Sequence, residues 1–393
     1  MIEPKLRFKA DDGSQFPDWE EHNFGDLYKV CSGYAFKYEN YCDSGVALIN
    51  GQSIQHGWID DNNMNYLPEA FLQQYEDFAL KENDIVLGLN RPITNGKLKI
   101  ARVPKEYNNS LLYQRAGKIV CKKAVDDDFS YALLAREIFK FTIKEAAGSD
   151  QPFISTSKLN KWKIIVPSSE QEQQKIAEFL STIDTVIEKQ KETVSSWEER
   201  KKGVMQKLFN QEVRFKDDDG SEFPEWEEKH FSEMYKSIPN KQYQISTKEY
   251  KKCGKYKVID QGKDFIAGYY DDKSKVYGSV PIIVYGDHTT VVKYLDEPFV
   301  IGADGTKLLD KISNNFDIKF LYFALNFNNV KQMGYKRHFS ALKEISFTIP
   351  FSLAEQQKIA DCLSTLDEVI EKQKATLAAW EKLKKGLLQQ MFV

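Results

Sequence analysis

Two stretches of this chain repeat their apolar positions in alternating steps of four and three. The first runs Ile176, Leu180, Ile183, Ile187, Gln190, Val194, Trp197, Lys201, Val204 and Leu208. The second runs Ile359, Leu363, Leu366, Ile370, Gln373, Leu377, Trp380, Lys384, Leu387 and Met391. That is an a/d heptad seam, interrupted by polar residues at the same places in both copies. Neither stretch contains proline, and each follows one (Pro167, Pro350), after which Ser168 or Ser169 is placed to cap the first helix. About 38 residues at 1.5 Å each make a rod of about 57 Å.

Elsewhere the pattern is that of a mixed α/β chain. Short runs bounded by turn residues predict strands: "ALIN", "DIVLGL", "GKIVC" and "KWKIIVP" before the first rod, "YKVID", "VPIIVYG", "PFVIGA" and "EISFTIP" before the second. "YALLAREIFKFTIKEAA" and "IKFLYFALNFNNV" predict helices packed on those sheets.

The rods belong to a larger duplication. Gln173 maps to Gln356 and Trp197 to Trp380, an offset of 183, while "RFKADDGSQFPDWEEHNF" from Arg7 returns as "RFKDDDGSEFPEWEEKHF" from Arg214, an offset of 207. Periods this long are whole modules, not solenoid units. The module ends are repeated and the middles differ. The expected order is a first domain at 1–168, a helix at 169–210, a second domain at 211–350 and a helix at 351–393.

Connectivity chooses how the rods pair. A domain of about 140 residues, with a radius of gyration near 14 Å, does not comfortably bridge a rod length. Antiparallel pairing places the two ends it must join side by side. The expectation is therefore two globular domains on one antiparallel coiled coil with pseudo-twofold symmetry. Gln190 and Gln373, near the midpoints, either face one another and fix the register or point to solvent at the seam's edge.

The chain has 393 residues, 41% hydrophobic and 13% aromatic, which is ordinary for a globular protein. No apolar run approaches the roughly 20 residues of a membrane span, and "MIEPKLRFKADDG" lacks a signal-peptide core. Five scattered cysteines without a C-x-x-C pair predict reduced thiols and a cytoplasmic location.

The net charge of −3 gives no global reason for a nucleic-acid partner, but its distribution is uneven. Between Gly88 and Lys123 nine basic residues face one acid, Glu106, and Lys241 to Lys257 form a second basic run. The acids gather in the repeated ends. Loops on a rigid scaffold are where binding residues concentrate, and the basic, Gly- and Asn-rich loops "NRPITNGK", "GSDQPFISTS", "GDHTTVV" and "MGYKRHFS" fit that description. No sequence element points to catalysis. The five histidines have no metal-like spacing, and no nucleophile elbow, P-loop or dinucleotide fingerprint occurs.

The E-Q-Q-K-I-A…L-S-x-x-D-x-x-I helix after a proline-ended strand, present twice, with the opening "PKLRF…FPDWEE" and the "GSDQPFIS" loop, resembles the DNA-specificity subunits of type I restriction–modification systems. The second domain offers "GYKRHFSAL" where that family commonly has a Gly-Ser…Ser loop. The resemblance implies a non-catalytic subunit for phage defence through DNA methylation and restriction. Each target-recognition domain would read one half of a bipartite site in double-stranded DNA. The helices would set the spacer and dock two methyltransferase subunits, and restriction subunits would then join. It implies no cofactor on this chain, S-adenosylmethionine in the methyltransferase, and ATP and Mg in the translocase–nuclease. The expected DNA contacts are Tyr34, Phe36, Arg91, Asn95, Lys97, Gln151 and Ser155 in the first domain, and Gln261, His288, Thr289, Lys336, Arg337 and His338 in the second. A coiled-coil adaptor that never touches DNA is the rival reading. A nuclease hidden in the basic clefts is a second, opposed by the lack of a metal-binding carboxylate constellation.

Overall fold

The computed structural model describes residues 4–392 apart from 63, 123–124, 146–151, 333 and 335. Its contacts divide into two compact units. One holds residues 1–189 and 378–393, the other residues 190–377. The division falls inside both long helices, Glu170–Phe209 and Leu353–Met391.

In the first unit a four-stranded antiparallel sheet has the order Tyr28–Ser32, Ala116–Cys121, Ile85–Gly88, Ile100–Arg102. A second sheet places Val46–Ile49 between antiparallel Asn65–Leu67 and parallel Leu111–Leu112. The helix Asp127–Glu145 turns Phe129, Leu133, Leu134, Ile138 and Phe141 into one core with Tyr28, Leu87 and Ile119. The repeated "WEEHN" stretch, which carries no strand signal, forms the strand Trp19–Asn23 by pairing antiparallel with Lys163–Pro167.

The second unit repeats this order with different residues. Tyr235–Ile238, Thr306–Lys311, Ile282–Gly286 and Val292–Leu295 form its antiparallel sheet, and Tyr256–Ile259 lies parallel to Phe299–Ile301 in the other. Glu227–His230 pairs with Ser346–Ile349 as Trp19–Asn23 pairs with Lys163–Pro167. The middles that share little sequence therefore share a fold.

The repeated segments explain one another. In the first unit Arg7 donates to both oxygens of Glu172 at 3.0 and 2.8 Å, and the Trp19 indole donates to the same carboxylate at 3.2 Å. In the second, Arg214 donates to both oxygens of Glu355 at 3.1 and 3.0 Å, and the Trp226 indole donates to the same carboxylate at 3.1 Å. Both carboxylates are fully buried, so each needs this set of donors. The next residue closes the joint. Gln173 accepts from the Asp126 amide at 3.1 Å and donates to Pro167 O at 2.9 Å, and Gln356 treats Asp317 and Pro350 in the same way. Ser169 caps the first helix, its Oγ accepting from the Glu172 amide at 3.4 Å, while Ser168 donates to Asp18 O.

Within each unit, the C-terminal end of a long helix completes the core. Phe392 lies 6.3 Å from the Trp19 ring and 5.8 Å from Phe129. Phe209, its repeat equivalent, lies 6.4 Å from Trp226 and 5.8 Å from Phe320. The helices run antiparallel: in the second unit Gln190 donates to Gln373 Oε1 at 2.7 Å and Lys201 pairs with Asp367 at 2.5 Å. In the first, Lys384 pairs with Asp184, the repeat equivalents of Lys201 and Asp367. The two glutamines face one another.

Candidate nucleic-acid interface

The loops of the first unit are held together by main-chain bonds. The Leu89 amide donates to Arg115 O at 3.0 Å, the Ile154 amide to Leu89 O at 2.9 Å, and the Arg91 amide to Pro152 O at 3.0 Å. Arg91 adopts a left-handed φ of +44° there. The short strands Ile93–Thr94 and Lys97–Leu98 form a hairpin whose turn, Asn95-Gly96, has φ of +51° and +72°. A two-residue hairpin turn with both φ positive favours that dipeptide. Arg91, Asn95 and Lys97 are all exposed.

These loops enclose a surface cleft of about 710 Å³. Its walls are Asn50, Gly51 and Gln52, then Asn90 and Arg91, Lys99, Tyr113 and Arg115, and Pro152 and Phe153, with Tyr41 and Asn65 completing it. Two of the polar side chains serve the wall itself. Asn50 Oδ1 accepts from the amides of Gln52 and Ser53, and Lys99 donates to Gly51 O at 3.0 Å. Burial, and then the neighbouring Arg91 charge, pull the Lys99 pKa down. Phe153, 58% exposed, stands at the rim.

Of the expected contacts in this unit, Arg91 lines the cleft and Asn95 and Lys97 sit on the adjacent hairpin. Ser155 precedes the short helix Thr156–Leu159, its hydroxyl 3.0 Å from Ser157. Tyr34 is partly exposed on an aromatic cluster with Tyr75 at 4.7 Å and Phe36 at 5.0 Å. Phe36 is a correction: at 4% exposure it supports that cluster from inside and cannot touch a ligand. Gln151 lies outside the described residues.

The second unit holds its loops by the same two bonds. The Asp287 amide donates to Gly305 O at 2.8 Å and the His338 amide to Asp287 O at 2.8 Å, matching Leu89 to Arg115 and Ile154 to Leu89. The segment at His338 is thus the structural counterpart of the segment at Ile154. Here the side chains knot together. Gln261 accepts from the His288 amide at 3.1 Å and donates to Asp304 O at 2.8 Å, while Thr289 Oγ1 donates to Gln261 O. His288 Nδ1 donates to Lys336 O at 3.3 Å. Beyond the knot Lys336 and Arg337 are exposed.

All six expected contacts of this unit converge on that knot or its edge. His338 is nevertheless a correction. It is 3% exposed, stands where the first unit has buried Ile154, and gives its ring Nδ1 to Asp287 O at 3.1 Å. Its role is to brace the loop. In the sequence Arg115 is one member of a basic run, and no binding motif marks Asn50, Gln52, Asn65 or Asn90. The turn signal "NGQS" after a predicted strand was the available cue.

Among the described residues no group of three or more His, Cys, Asp and Glu side chains is placed to hold a metal ion. No described helix is long and apolar enough to cross a membrane.

Two stretches, residues 17–194 and 224–379, match the type I restriction modification DNA specificity domain. The chain belongs to that family. It is 36% identical over 218 residues to the type I restriction enzyme MjaVIII specificity subunit of Methanocaldococcus jannaschii, a match covering 55% of this chain and 51% of the relative. The chain thus spans about half the length of that relative. It is 25% identical over 417 residues to the putative MjaX specificity subunit of the same organism, covering 97% and 94% of the two. In fold it is similar to the crystal structure of a type I restriction–modification S subunit from M. genitalium, with a TM-score of 0.59, 17% identity and coverage of 100% and 99%. The duplicated modules are therefore two specificity domains in one chain.

Proposed function

We propose that this chain gives a type I methyltransferase and restriction complex its DNA sequence, each domain reading one half of a bipartite site. Phosphate contacts from Lys and Arg would set position, and amide and guanidinium groups at major-groove base edges would discriminate sequence. The long helices would fix the unread spacer and dock two methyltransferase subunits carrying S-adenosylmethionine. Restriction subunits using ATP and Mg would then join. The chain itself would bind no cofactor and catalyse no step.

The observation supporting this reading is one repeated framework carrying two unlike loop clusters. The Arg–Glu–Trp joint and sheet order recur, while a basic cleft in one unit is answered by a hydrogen-bonded knot in the other. Sequence identity is kept where a scaffold must be the same and lost where half-sites must differ. The test is methylation mapping in cells holding the cognate methyltransferase with and without this chain. The expected result is a bipartite motif of two unlike halves, modified only when the chain is present. A methylome indifferent to the chain overturns the reading and favours an adaptor without DNA contact.

A further inference from the structure

We propose that Arg91 and Arg115 form a clamp for a backbone phosphate of the DNA strand in the first domain, a site the second domain lacks. The inference rests on the chain being a DNA reader and adds how the two domains differ in holding DNA.

Three observations carry it. Arg91, Arg115 and Lys99 line one cleft whose described lining contains no Asp or Glu. Lys99 is occupied by Gly51 O, whereas among the described residues neither arginine side chain makes an ion pair or hydrogen bond. Two guanidinium groups lining one cleft, with no carboxylate among its described lining residues, favour an anion there. The Arg91 charge is already felt at Lys99, whose pKa falls through burial and then through that arginine.

Backbone geometry points the same way. Arg91 holds φ +44°, a conformation glycine adopts freely and arginine adopts at a cost. The bond from its amide to Pro152 O fixes that turn and leaves the side chain on the cleft wall. A cleft of about 710 Å³ admits the sugar–phosphate edge of one strand, not a duplex. A phosphodiester offers the paired oxygens that a guanidinium fork matches.

Among the described residues of the second domain, the position equivalent to Arg115 has no room for such a clamp. The main-chain bond that ends on Arg115 in the first unit ends on Gly305 in the second. Gly305 has φ +89°, and a Cβ there would lie 2.7 Å from the Gln261 amide. Gln261 occupies the space that a side chain at Gly305 would need.

The test uses the chain assembled with its cognate methyltransferase, as wild type, R91Q, R115Q, R91K and R115K, titrated with target and random duplexes at several salt concentrations. Each Gln variant is expected to flatten the slope of log K against log salt by about one, equally on both duplexes. That amounts to about a fourfold difference over a fourfold rise in salt. The Lys variants restore the slope, and the methylated motif stays unchanged throughout. A single uncharged methylphosphonate, walked through the first half-site, should at one position weaken the wild type and leave R91Q/R115Q unaffected. An unchanged slope overturns the clamp. So does a motif that relaxes at one base pair, which would place the arginines on a base edge. Failure of the underlying reading looks different: the wild type then shows no preference for target over random DNA, while the slope on random DNA still reports on the arginines.

Discussion

Arg7 and Glu172, 165 positions apart, meet in a two-pronged ion pair whose carboxylate is wholly buried. The pair joins the first repeated segment of the module to the second, and Arg214 with Glu355 does so again. Removing one partner of a buried pair costs about 3–5 kcal/mol because the other is left uncompensated. Glu172→Ala also strands the Trp19 indole. We expect it to loosen the Trp19–Asn23 and Lys163–Pro167 strands in hydrogen exchange while the second unit keeps its protection, with Glu355→Ala giving the converse. Equal loss in both units from either change would refute independent joints.

Gln190 and Gln373 are a different kind of pair, half-buried and neutral. A side-chain hydrogen bond nets about 0.5–1.5 kcal/mol, and replacing both partners by apolar groups can be neutral or stabilising. Single Leu substitutions should each lower the melting temperature slightly, and Q190L/Q373L should recover the loss. The thermodynamic cycle checks this. Additive losses in the double variant would mean that the bond contributes nothing as a pair.

The helical seam was legible because a heptad repeated over so many residues admits one reading, and because connectivity left one orientation. Whether Gln190 faced Gln373 was not, since a heptad assigns a position and not a rotamer. The strand at Trp19–Asn23 was illegible for a related reason: "WEEHN" is mostly polar, and its partner lies more than a hundred residues away. In the loops, composition found the right segments and could not sort their side chains. Phe36 and His338 look like contacts among aromatic and basic neighbours, yet one lies inside an aromatic cluster and the other takes the place of an isoleucine. Arg115 was hidden because a basic run does not say which of its members shares a cleft.

Thiol chemistry offers a pH-dependent check. Burial first, with the Asp127 carboxylate also opposing ionisation, holds Cys121 up at about 11, against about 8.5 for an unfolded thiol. The folded state therefore keeps its proton longer, and this group's contribution to stability falls as pH climbs past about 8.5. Exposed Cys253 should react with iodoacetamide at pH 8 in the native protein. Cys121 should react only near pH 11 or after unfolding, as read by peptide mass spectrometry. Prompt native labelling of Cys121 at pH 8 would contradict its packing.

Arg337 and His338 are neighbours with opposite duties, and substituting each tests that division. Arg337 is exposed at the edge of the loop knot, whereas His338 is buried and pinned to Asp287 O through both its amide and its ring. Among the described residues the Arg337 side chain makes no hydrogen bond or ion pair, so Arg337→Ala should leave stability unchanged. If it reads a base edge, discrimination at one base pair should fall by about 1–3 kcal/mol, seen as one degenerate position in the methylated motif. His338→Ala opens a cavity and leaves Asp287 O short of a donor. It should cost about 1–3 kcal/mol of stability, weakening methylation at every site without relaxing the motif at any. Thermal melts beside methylation maps separate the two. A relaxed motif from His338→Ala with an unchanged melt would return the histidine to the recognition surface, and a lowered melt from Arg337→Ala would take the arginine off it.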